Sequence, residues 1–64
     1  MYEKIRAFCD KKEITIAAFE RVCDLSNGYV DKINKQSLRP SVKHSRRMAQ
    51  VMGISIEELT DETV

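Results

Sequence analysis

Four residues share a helical spacing that can address the edges of nucleic-acid bases. Projected at 100° per residue, Asn27, Gly28, Asp31 and Lys32 centre one side of the stretch 27–35, opposite Val30, Ile33 and Ser26. Asn can pair with adenine, Lys can reach the acceptors of guanine, and Asp can accept from the amino group of cytosine. Gly28 carries no side chain that would hold bases away. The same face also reads as an ordinary solvated surface, because Asp31 and Lys35 have the i,i+4 spacing of a helical ion pair.

The charge distribution favours an anionic partner. The net charge is only +1, yet residues 32–50 hold Lys32, Lys35, Arg39, Lys43, Arg46 and Arg47 and no acid. Residues 1–31 sum to −1, and residues 51–64, with Glu57, Glu58, Asp61 and Glu62, to −4. A basic middle in a nearly neutral chain concentrates positive potential on one region.

Other chemistry finds little support. Cys9 and Cys23 match no zinc spacing, and His44 alone cannot complete a tetrahedral set. Both cysteines read as reduced, partly buried thiols, so no metal or cofactor is expected. His44 falls on the outer side of its helix with no acid nearby in sequence, which makes it a surface residue, placed near phosphate if the partner is nucleic acid. The four C-terminal acids read as dipole compensation and solvation. A core of short helices leaves little room for a catalytic pocket, so the chain is not expected to be an enzyme.

The elements that must position these residues are helical throughout. Tyr2, Ile5, Phe8 and Cys9 form one stripe, which predicts a helix over 2–12. Thr15 caps a second helix with Ile16, Phe19, Val22 and Cys23 on its apolar side. Asp24-Leu25-Ser26 is a turn in which Leu25 plugs the angle between helices, and Ser26 caps a third helix over about 27–35. Pro40 closes the loop 35–40, Ser41 caps a fourth helix with Val42, Ser45, Met48, Ala49 and Met52 inside, and Gly53 stops it. Ser55 and Glu58 have the capping-box spacing at the start of a fifth. Two short helices joined by a tight turn over Thr15–Ile33 have the arrangement of a helix-turn-helix, the first bracing the second in a groove.

At 64 residues the chain has length for one domain and one modest core. That core is expected to unite Ile5, Phe8, Phe19, Val22, Cys23, Leu25, Val30, Ile33, Met48, Ala49, Met52 and Ile56. No apolar run nears the roughly 20 residues of a membrane span, and Met1–Lys4 carries helical periodicity in place of an export signal. A cytoplasmic location is the expectation.

The segments Ile14-Thr15-Ile16-Ala17-Ala18-Phe19, Leu25-Ser26-Asn27-Gly28-Tyr29-Val30 with Ile33, and Arg39-Pro40-Ser41 resemble the phage repressor and Cro-type (lambda-repressor-like) helix-turn-helix family. Met48-Ala49 and Met52-Gly53-Ile54-Ser55-Ile56-Glu57-Glu58-Leu59 continue the likeness in order, so it covers about residues 2–60. The resemblance implies an all-α, five-helix domain of a sequence-specific transcriptional regulator that binds a double-stranded DNA operator. It implies a homodimer on paired half-sites. Few large apolar residues (Leu38, Val51 and Val64) are left over for an interface, so the free chain is expected to be monomeric or weakly dimeric. Carried over by position, the base-reading slots are Asn27, Gly28, Asp31 and Lys32. The phosphate slots are Thr15, Ile16, Tyr29, Lys35, Arg39 and Lys43.

The chain departs from the family pattern at five places. Ile16 replaces the frequent Gln, and Arg46 stands where leucine is common. Glu20 replaces the small Ala where the two helices approach, so its stem must bend away. Asp24 takes the turn glycine's place, at a cost on the order of 1 kcal/mol. Lys35-Gln36 replaces a common Asn-Gly. A protein-interaction module of antirepressor or antitoxin type, built on the same fold, is the rival reading.

Overall fold

A computed structural model describes residues 1–60, and among them the secondary structure is entirely helical. The elements are α1 (Tyr2–Lys12), α2 (Ile16–Val22), α3 (Tyr29–Asn34), α4 (Val42–Met52) and α5 (Ile56–Thr60). Asp61, Glu62 and Val64, to which the sequence assigns solvating charge and a spare apolar side chain, lie outside the described residues.

Three helices begin where a side-chain oxygen is available. Thr15 Oγ1 accepts the Ala18 N–H at 3.0 Å, Ser41 Oγ accepts His44 N–H at 3.2 Å, and Ser55 Oγ accepts Glu58 N–H at 3.0 Å. Each satisfies one of the donors that a helix start leaves open. The sequence places all three caps correctly.

The helix ends share one device. After α1, α2, α3 and α4 a residue turns left-handed: Glu13 (φ 57°), Asp24 (φ 58°), Gln36 (φ 58°) and Gly53 (φ 73°). In each case the following N–H reaches back five residues to a carbonyl: Ile14 to Cys9, Leu25 to Glu20, Ser37 to Lys32 and Ile54 to Ala49, at 2.8–3.0 Å. This is the Schellman arrangement, and only α4 supplies the glycine that suits it. Three L side chains therefore sit in a backbone region that costs them roughly 1 kcal/mol each. Glu13→Gly and Gln36→Gly are accordingly expected to raise stability by about 0.5–1 kcal/mol apiece, read as a higher urea midpoint with unchanged slope.

The core joins Ile5 and Cys9 of α1, Phe19 of α2, Cys23 after it, Tyr29, Val30 and Ile33 of α3, Met48 and Ala49 of α4, and Leu59 of α5. Phe8 meets Phe19 edge-on with ring centroids 5.8 Å apart. Phe8, Leu25, Met52 and Ile56 pack against this cluster from partly buried positions. Val22 does not join it: the side chain is 63% exposed. Seven residues make α2 only two turns long, and its inward side is taken by Phe19 and Glu20, with Cys23 just after it. Leu59 and Tyr29, which the periodicity does not single out, are buried instead. Leu59 seats α5 on α4, and Lys4 of α1 donates to the Glu58 carbonyl, tying the first helix to the last. The radius of gyration, 10.6 Å, agrees with the roughly 10 Å of a compact chain this long.

Candidate nucleic-acid interface

The candidate surface is built on α3, a helix too short to hold itself together. Six residues complete fewer than two turns, and helix initiation is unfavourable in water. Its stability must come from neighbours. Tyr29, Val30 and Ile33 bury its inner side, and a carboxylate holds its start.

That carboxylate belongs to Glu20 of α2. Its Oε2 accepts the Val30 N–H at 2.8 Å and its Oε1 accepts the Gly28 N–H at 3.2 Å, from a side chain only 4% exposed. Position 28 is the N-cap of α3 and has no side chain of its own. Glu20 therefore acts as an external cap, with both oxygens on backbone donors and its negative charge at the helix start. The expected outward bend of its stem is corrected: Glu20 turns inward, because two unsatisfied N–H groups wait there.

The start of α3 also differs from the sequence reading. Ser26 does not cap the helix; its carbonyl accepts the Tyr29 N–H at 3.1 Å, closing a turn. The helix begins at Tyr29, so Asn27 and Gly28 belong to the turn before it. Gly28 is set by conformation, at φ 85°, and a Cβ there would meet nothing within 4 Å. The turn demands its left-handed backbone.

Asn27, Asp31 and Lys32 are exposed, so three of the four expected base-reading side chains or turn positions reach solvent, with Gly28 half-buried among them. Asp31 and Lys35 form the i,i+4 ion pair at 3.0 Å, both well solvated. Such a pair contributes little stability. Arg39 and Lys43 are exposed on either side of the α4 start. Of the six cations between residues 32 and 50, Lys35 alone has an ion-pair partner among the described residues.

Three of the phosphate slots implied by the resemblance have further roles in the fold. Thr15 is exposed and its hydroxyl oxygen accepts the cap bond of α2, which leaves its O–H as a donor, and Ile16 is half-buried against the core. Tyr29 is only 7% exposed, and its hydroxyl meets His44 Nδ1 at 2.9 Å. The two rings stack edge-on at 5.1 Å. Burial pushes the Tyr29 phenol upward, against a smaller opposite pull from the Ser41 backbone. The Tyr29 ring thus belongs to the core, and its hydroxyl is engaged with His44. His44, expected on the open surface, is half-buried beside it.

Sequence reasoning missed the Glu20 cap and the Tyr29–His44 pair. A side-chain-free N-cap at Gly28, eight residues after an acid, was the available sign of the first. The second joins residues 15 apart on different helices, which no periodicity reveals.

Cys9 and Cys23 are buried and unpaired, and among the described residues no group of three or more His, Cys, Asp or Glu could hold a metal ion. None of the helices there is long and apolar enough to cross a membrane. No protein-family model matches the chain, and no curated protein or solved structure is significantly similar to it.

Proposed function

We propose that the chain binds double-stranded DNA as a helix-turn-helix regulator, with α2 bracing α3 and the turn before it in the major groove. The observation that carries this reading is the acid-free stretch 32–50. Five of its six cations are exposed and without an ion-pair partner among the described residues, and they follow directly on the polar face of α3. Unpaired exposed cations are what a polyanion needs, since each phosphate neutralised releases a counterion. Asn27 and Gly28 in the turn before α3, with Asp31 and Lys32 on the helix, present a small, polar surface whose side chains can distinguish base edges. Regulation of transcription, and pairing of two copies on a two-part operator, belong to this proposal.

Base readers and phosphate contacts separate in a single set of measurements. A preferred site is first selected from a random duplex pool. Asn27→Ala and Lys32→Ala are then expected to cost about 1–3 kcal/mol on that site and to relax discrimination at one base pair. Arg39→Ala and Lys43→Ala should weaken preferred and random duplexes alike, each flattening the log-affinity against log-salt slope by about one unit. Neutral Asn27 and Lys32 variants with binding intact would remove α3 as the reader. The Asp31–Lys35 pair favours the second reading, a protein-interaction module, because it sets an acid on the outward face and occupies one cation there. Absence of duplex binding even at low salt is the outcome that would replace the first reading with the second.

A further inference from the structure

The hydroxyl of Tyr29 and the imidazole of His44 are the one side-chain hydrogen bond joining α3 to α4 among the described residues. It occupies His44 Nδ1, leaving Nε2 as the ring's remaining polar atom. No buried side-chain nitrogen or oxygen lacks a partner among the described residues, and Nε2 has no protein partner. Nε2 therefore reaches solvent. It does so from a ring whose orientation is fixed twice, by the 2.9 Å hydrogen bond and by the edge-on stack on a buried tyrosine.

We infer that His44 is a proton-sensitive phosphate contact: Tyr29 aims its ring so that Nε2 meets a backbone oxygen of a duplex lying along α3. This rests on the duplex-binding reading above and adds to it a residue and a dependence. The contact assigned by resemblance to Tyr29 passes one ring outward, because Tyr29 itself is buried.

The charge logic follows from the surroundings. Across α3 the group facing His44 is Tyr29, a phenol neutral near pH 7 that burial pushes further upward. On α4 its near neighbours are Lys43, adjacent in sequence, and Arg47, three residues on and so on the same side of the helix. A proton gained at Nδ1 turns that nitrogen into a donor to the Tyr29 oxygen and spreads positive charge to Nε2–H, and no acid takes part in the ring's contacts to satisfy that donor within the protein. A phosphate oxygen supplies that partner. Histidine is the side chain whose charge ordinarily changes between pH 5 and 8, and His44 is the single histidine of the chain. A neutral Nε2–H donates an ordinary hydrogen bond; the protonated ring donates a charge-assisted one, about twice as strong, and displaces one more counterion.

The test is equilibrium binding of the full chain to a random-sequence duplex at pH 5.5 and 7.5, each at three salt concentrations. For the wild type, affinity at low salt should rise roughly three- to tenfold on going to pH 5.5, with the salt slope steeper by about 0.9. His44→Gln should bind with one slope at both pH values. Tyr29→Phe, which keeps the ring and removes only the hydroxyl, should retain the pH response while losing a few-fold in affinity at both. Circular-dichroism melts establish that each variant is folded at the temperature used. As an independent readout, imidazole ¹⁵N shifts of the free protein above pH 7.5 should report the Nε2–H form.

A pH response retained in folded His44→Gln, or none in the wild type while the duplex still binds, overturns this assignment alone. An Nδ1–H form in the free protein overturns it as well. Failure of every duplex to bind at either pH overturns it together with the duplex-binding reading.

Discussion

Glu20→Ala is expected to lower stability by roughly 2–4 kcal/mol, dropping the thermal midpoint by more than about 10 °C. Two backbone N–H groups now meet a carboxylate at 2.8 and 3.2 Å in a place almost closed to water. Charge-assisted hydrogen bonds of this kind contribute about 1.5–3 kcal/mol each, and a stranded buried donor adds its own desolvation cost. The loss falls on α3, which has no side-chain cap of its own and too few residues to persist alone. Glu20→Gln should land between wild type and alanine, because its amide oxygen can still serve one donor while its NH₂ confronts the other. An alanine variant melting within about 0.5 kcal/mol of wild type would show that the cap contributes nothing.

Phe19→Ala is expected to be more severe, costing about 3–5 kcal/mol. The ring is fully buried at the centre of the core and meets Phe8 edge-on at 5.8 Å. The entire stability of a chain this size is roughly 3–10 kcal/mol, so most of the variant should be unfolded at 37 °C. Val22→Ala, one turn away on α2 but 63% exposed, supplies the contrast and should stay within about 0.5 kcal/mol. Both are read from urea curves followed by circular dichroism. Equal midpoints for the two variants would refute the placement of the core.

Local signals were legible in the sequence because they act through neighbours in the chain. Thr15, Ser41 and Ser55 cap as their side-chain chemistry requires, and Gly53 stops α4 with the left-handed backbone that glycine accepts most readily. The bounds of α1 and α4 follow from apolar spacing over three turns. Spacing fails at Val42, expected inside α4 but 65% exposed in its first turn, and again where an element is shorter than the period needs. Val22 looks inward by pattern, yet the buried residues of α2 are Phe19 and Glu20, with Cys23 just after it. The burial of Leu59 comes from the docking of α5 on α4, a tertiary event without a local signature. At the candidate site, the exposed residues Asn27, Asp31 and Lys32 could be read from polarity alone. What holds them could not, since Glu20 and His44 act across 8 to 15 residues of chain.

The two closed-in thiols also give the chain an alkaline limit. Burial raises both, and pushes Cys23 from an ordinary 9.0 up to about 11, with Arg47 opposing and Cys9 adding to it. In the unfolded chain these sulfurs ionise near their ordinary value. Unfolding above pH 9 therefore sheds protons that the native state retains. The native state's advantage from this source is whole below about pH 9 and is lost as the pH rises through about 11. Since the thiolate is also the form that attacks electrophiles, the same burial makes alkylation of Cys9 and Cys23 a clock for opening of the fold. The molecule carries its own gauge of unfolding.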